Sequence, residues 1–170
     1  MLRLSTAKRL LATFIASSMM LTPTVTGAEE MKRTPKIEAH KSQNDQRQIR
    51  CLAENIYFEA GNQSERGMIA VTNVVFNRIN DKKDRFPDTP CAVIHQKSRG
   101  VCQFSWTCNK KRQIRNAAVF SRAMALAERA WAEGLVDVTR GSKFYHANYV
   151  NPKWRLTRVA SIGTHIFYNG

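Results

Sequence analysis

This chain is short of acid. It carries 13 Asp and Glu against 27 Lys and Arg in 170 residues, a formal charge of +14. Such a balance favours an anionic polymer as partner: nucleic acid, a membrane surface, or a bacterial wall with its carboxylates. Metal-ligand spacing is missing as well. There is no Cys-x-x-Cys, and His40, His95, His146 and His165 show no paired spacing, which argues against a zinc site. The basic residues are not interleaved with aromatic ones, as a platform for single-stranded nucleic acid requires. No internal repeat and no low-complexity tract occurs. Beyond residue 28 no apolar run approaches the length of a membrane span.

What is present begins with a leader. Arg3, Lys8 and Arg9 make a positive start, Leu10 to Leu21 is mostly apolar, and Thr26-Gly27-Ala28 offers a small-residue cleavage site. Residues 1–28 therefore read as a signal peptide, with a retained signal anchor as the alternative. Its removal takes away three basic and no acidic residues and lowers the formal charge to +11. Export leaves a periplasmic or extracellular protein and makes nucleic acid the poorest of the anionic partners. Residues 29–47 are polar and lysine-rich with no hydrophobic period, and read as a disordered linker. Residues 48–170 are the size of one catalytic domain with a single core.

Cys51, Cys91, Cys102 and Cys108 form an even set in an oxidising compartment, which predicts two disulfides with three possible connectivities. Cys102–Cys108 and Cys51–Cys91 are the favoured pairs.

Hydrophobic period places four helices and a β-rich tail, a mostly helical α+β domain. The first helix is expected over 46–60, and the second over 63–80 with Asn62 and Glu65 as its capping pair. Pro90 opens a short helix through Gln96. The last long helix covers 116–133, with Ala117, Phe120, Met124, Ala127 and Trp131 as its buried stripe and Gly134 as its cap. Strands are expected at 157–160 and 164–168.

In the first helix Ile49, Leu52, Ala53, Ile56, Tyr57 and Ala60 share one face. Glu59 lies seven residues after Leu52 and three after Ile56, so it points along that face, whereas Glu54 projects away. A carboxyl group on a buried stripe resists ionisation, because desolvation disfavours the charged form. That property keeps an acid protonated near neutral pH as a proton donor. The plainer reading is an ion pair at the margin of the stripe. Glu65 reads as a first-turn acid complementing its helix dipole. Ordinary glycosidases set two carboxyl groups about 5 to 9.5 Å apart. No second acid here falls on an apolar face, which leaves a loop aspartate as partner or chemistry that needs one acid.

Polar and aromatic residues gather in two more places, Cys102-Gln103-Phe104-Ser105-Trp106-Thr107-Cys108 and the stretch from Tyr145-His146 to Trp154. Flat aromatic surface beside amides and hydroxyls suits a sugar chain. The plainer reading is a pair of loops with their aromatics in the core, and His146 as a hydrogen-bonded structural residue.

Several segments resemble a known family in order along the chain. They are Cys51-Leu52-Ala53 to Glu59-Ala60, Gly67-Met68-Ile69-Ala70-Val71 and Val74-Val75-Phe76-Asn77-Arg78, then Phe86-Pro87, Val93-Ile94 and Gln103-Phe104-Ser105. Phe144-Tyr145-His146 to Pro152, Ile162-Gly163 and His165-Ile166-Phe167-Tyr168 complete the set. Together they resemble the bacterial cell wall hydrolases of the spore-cortex-lytic-enzyme type. The resemblance implies a lysozyme-like domain that cleaves peptidoglycan glycan strands, with its single catalytic acid at Glu59 and no cofactor or metal. It is similar to lytic transglycosylases, which cut between N-acetylmuramic acid and N-acetylglucosamine without adding water. Gln103, Ser105, Tyr145 and His146 would then be the substrate-binding residues of a monomeric enzyme.

One stretch departs from the pattern. Where such proteins read Ala-Arg-Gly-Glu after the glutamate, this chain has Ala60-Gly61-Asn62-Gln63. The change removes a second acid from that turn. It fits a one-acid mechanism, and it leaves open a hydrolytic muramidase or a wall-binding protein whose site has decayed.

Overall fold

The computed structural model describes residues 41–170. The expected leader and the linker as far as residue 40 lie outside the described residues. Four helices carry the fold: α1 (Gln43–Ala60), α2 (Glu65–Ile79), α3 (Pro90–His95) and α4 (Ala117–Glu133). A hairpin of β1 (Lys97–Ser98) and β2 (Val101–Cys102) follows α3, and a short 3-10 turn covers Ser105–Cys108. The tail folds as an antiparallel sheet of β3 (Phe144–Ala147), β4 (Thr157–Ile162) and β5 (His165–Asn169), in the order β3-β5-β4. This is the mostly helical α+β architecture expected from the sequence.

The α1 stripe forms as read. Ile49, Leu52, Ala53, Ile56 and Ala60 are buried, with Tyr57 at the margin. The helix starts earlier than expected, so residues 43–47 are helix and not linker. Ser42 caps it by accepting from the Asp45 N–H at 3.1 Å, and buried Gln48 accepts from the Cys91 N–H at 2.9 Å. Polar composition hid both contacts. The start of α2 also differs: its cap is Ser64, while Asn62 accepts from the Gln63 amide at 2.9 Å.

The α4 stripe is rotated from its expected position. Ala123, Leu126, Ala127 and Ala130 are buried, Ala117 is exposed, and Phe120, Met124 and Trp131 lie at the edge. Small alanines face α1, where two helices can approach closely, and the larger residues close the sides of that contact. In the tail β3 forms in a run read as a loop, whereas β4 and β5 fall where strands were expected. Their turn carries Gly163 at φ 58°, a conformation that strains other residues. An added Cβ there would also collide with the Gln63 side chain.

The chain pairs its cysteines as Cys51–Cys91 and Cys102–Cys108. The first ties α1 to the start of α3. The second closes the loop that carries Gln103 and Ser105.

Candidate active site

Glu59 stands in the last turn of α1, whose final helical bond runs from Gly61 N–H to Tyr57 O at 3.2 Å. Its side chain reaches β3, and the Tyr145 hydroxyl donates to Glu59 Oε2 at 2.9 Å. Burial raises the Glu59 carboxyl above its ordinary range; the Tyr145 bond and the Arg78 charge oppose that shift only in part. Burial, and then Glu59 itself, push the Tyr145 phenol well above its ordinary value. Tyr145 is therefore a neutral donor throughout the working range.

Arg78 is the functional group that the sequence reading left without a role. It is 5% exposed, on α2. Its guanidinium lies over Phe86 and Phe104 at 5.1 Å and Phe144 at 5.8 Å, and its Nε donates to Lys143 O at 2.8 Å. Nη1 has no hydrogen-bond partner. Burial lowers its pKa to about 10, against the pull of Tyr145 and Glu59. At neutral pH it remains a fixed cation beside the acid. The signal was available, since Val71, Val75 and Arg78 share the helical spacing that singled out Glu59.

Tyr145 is held by the sheet. It pairs with Phe167 across β3–β5, and its ring contacts Phe167 at 5.5 Å, His165 at 5.0 Å and Phe104 at 6.4 Å. His146 follows it on the strand and so points to the opposite face. There it stacks on Tyr168 at 5.2 Å, and Trp154 meets it edge-on at 5.4 Å. Its Nδ1–H donates to Ala147 O at 2.8 Å, so Nε2 accepts from the Tyr168 hydroxyl at 2.9 Å. Parity thus separates His146, expected as a substrate-binding residue, from the face of β3 that meets Glu59. His165, not His146, borders the tyrosine.

The disulfide loop runs past this group with its own alternation. Phe104 and Trp106 are buried, whereas Gln103 is half-buried and Ser105 exposed. Gln103 N–H is fixed on Gln96 O at 3.0 Å. Neither side chain bonds to Glu59. Trp106 anchors the loop by donating to Asn55 Oδ1 at 3.0 Å and stacking on Phe58 at 4.8 Å.

Four other acids are engaged elsewhere. Glu54 pairs with Arg50 at 3.1 Å, and Glu65 pairs with Arg129. Asp81 is pinned by Arg85 at 2.8 Å and Lys143 at 3.3 Å, and its pKa falls to about 2 mainly through the Arg85 bond. Asp137 accepts from Thr139 and Gly141 within its own turn and from Asn77 on α2. Gln63, at the position of the missing second acid, accepts from Thr164 N–H at 3.1 Å and pins the β4–β5 turn.

A buried carboxyl, a neutral phenol bonded to it and a fixed cation thus form one cluster on a helical α+β frame. The family described as Cell Wall Hydrolase matches residues 62–168, and the chain belongs to it. The match opens three residues after Glu59 and takes in Arg78, Gln103, Ser105 and Tyr145. That membership supports a peptidoglycan-cleaving enzyme. Two solved structures share the fold. The catalytic domain of the Bacillus cereus SleB protein is 22% identical with a TM-score of 0.54, over 73% of this chain and 91% of that one. The catalytic domain of the germination-specific lytic transglycosylase SleB from Bacillus anthracis is 24% identical with a TM-score of 0.56, over 75% and 96%. No curated protein matches the chain.

Proposed function

We propose that this protein is an exported lytic transglycosylase that cuts the bond between N-acetylmuramic acid and N-acetylglucosamine, with Glu59 as its one catalytic carboxyl. The observation that carries this reading is the pairing of Glu59 with Tyr145 beside Arg78 while the acids around it are tied into other contacts. Glu59 enters protonated and gives its proton to the glycosidic oxygen as the bond from C1 breaks. Gln103 and Ser105 offer hydrogen bonds to the oxocarbenium-like sugar. Glu59, now charged and steadied by the Tyr145 hydroxyl and Arg78, takes the proton of the same sugar's C6 hydroxyl. That oxygen closes on C1 and leaves a 1,6-anhydro end. The nucleophile is already in place within the substrate, so no second carboxylate is needed to activate water.

Mass spectrometry of digested peptidoglycan tests the reaction type. Anhydro-muropeptides, one water lighter than their hydrolysed counterparts, are the expected product. Reducing ends alone would make the protein a hydrolytic muramidase. The two disulfides support an oxidising, extracytoplasmic location. Among the described residues no helix is long and apolar enough to cross a membrane.

A pH profile tests the role of Tyr145. Its hydrogen bond favours the ionised form of Glu59, so Tyr145→Phe raises the proton affinity of the acid. The limb of kcat/KM on which a protonated acid is lost then moves to higher pH. A hydrogen bond to a charged group contributes about 1.5–3 kcal/mol, so kcat should drop about tenfold to a hundredfold. An unmoved limb would remove Tyr145 from the proton-transfer chain.

A further inference from the structure

Two cavities meet at Phe58, the residue before Glu59. One, of 390 Å³, is lined by Tyr57, Phe58, Gly61, Asn62, Asn116 and Val119. The other, of 330 Å³, is lined by Glu54, Phe58, Lys110, Arg112 and Ile114. The segment between the Cys102–Cys108 disulfide and α4 forms the outer wall of the second, and its last residue, Asn116, also lines the first. It holds Lys110, Lys111, Arg112 and Arg115 and no acid. Among the described residues none of these four cations forms an ion pair. Glu54, the lone acid of the lining, is already matched by Arg50.

The segment is fixed rather than loose. Tyr57 Oη accepts from both Arg115 N–H at 3.0 Å and Asn116 N–H at 3.1 Å. Asn109 O accepts from Arg112 N–H at 3.2 Å, and Asn109 Oδ1 from Lys111 N–H at 2.9 Å. The Arg112 guanidinium lies over Trp106 at 5.4 Å, on the same indole that stacks on Phe58. Phe58, the neighbour of the proposed acid in sequence, therefore floors a groove with an uncompensated basic wall.

We propose that Lys110 and Arg112, over Phe58, form a subsite for the carboxylate-bearing peptide stems of the strand held at Glu59. The proposal rests on the glycan-cleaving reading above. A muramic acid residue presents its stem to the side of the strand, and the stem adds an apolar side chain and carboxylates to a neutral sugar backbone. Arg112 offers a planar fork for a carboxylate and Lys110 a point charge beside it. A strand whose muramic acid carboxyls end in a simple amide in place of the stem offers this wall no charge to pair with.

Equilibrium binding to soluble glycan fragments tests the subsite without relying on turnover. Peptide-bearing fragments and fragments whose muramic acid carboxyls carry a simple amide in place of the stem are compared at fixed ionic strength. The pair Lys110→Ala/Arg112→Ala should bind peptide-bearing fragments about tenfold more weakly, the scale of two exposed ion pairs, with unchanged binding to the amidated fragments. The pair Lys97→Ala/Arg99→Ala removes the same charge from the β1–β2 turn and should change neither. Equal loss on both substrates, no loss on either, or the same loss from the control pair would overturn the subsite. A wrong reaction type shows separately, in the muropeptide spectrum.

Discussion

Glu59→Gln is expected to abolish peptidoglycan clearing, with kcat falling by at least about a hundredfold, the lower range for a positioned general acid. Glutamine keeps the shape, and its carbonyl oxygen still accepts from the Tyr145 hydroxyl. It has no proton to give. The stability side has a defined sign. The folded-state pKa of Glu59 is raised, so its neutral form is the one the fold favours. The contribution of that protonated group is fully present below the unfolded value and is lost as pH rises through the folded one. At neutral pH the wild type carries this cost and the Gln variant does not. Its unfolding midpoint should match the wild type or slightly exceed it, with the advantage shrinking toward low pH. Full activity in the variant would falsify the assignment of the acid. A midpoint several degrees lower would mean that the side chain serves the fold first.

The part of this site that follows from helical period was legible; the part that depends on strand parity and on long-range pairing was not. Glu59 could be placed because Leu52 and Ile56 fix the face of α1 on which it lies. Arg78 obeyed the same spacing on α2, but its meaning comes from Phe86, Phe104 and Phe144, which the fold brings around it from three other segments. Tyr145 and His146 were indistinguishable in a run read as a loop. Pairing of Tyr145 with Phe167 assigns one to the acid and the other to Trp154 and Tyr168. Polar residues with structural duties were the least readable. Asn77 holds the turn around Asp137, Thr139 and Ser142, and Gln48 fastens the start of α3, each through contacts distant in sequence.

Removing the two disulfides should separate stability from activity. Cys51 and Cys91 are 40 residues apart, and Cys102 and Cys108 are six apart. Loop-closure entropy then assigns about 4 kcal/mol to the long bridge and about 2 kcal/mol to the short one. Against a total stability of about 5–15 kcal/mol for a domain, loss of the first is severe. Cys51→Ala/Cys91→Ala should therefore shift urea unfolding strongly. It frees α3, whose Val93 and Ile94 are fully buried against the core, while the last turn of α1 keeps Glu59 on Tyr145. Cys102→Ala/Cys108→Ala should cost half as much stability and more activity at temperatures where both variants are folded. The short bridge closes the loop that carries Gln103 and Ser105, and a shift of about 1 Å in substrate-positioning groups can cost a hundredfold. Urea curves and wall-clearing rates measured on the same two variants decide the matter. If the long-bridge variant loses more activity than the short-bridge one while still folded, the loop is not what positions the sugar, and the hydrogen bonds assigned to Gln103 and Ser105 fall with it.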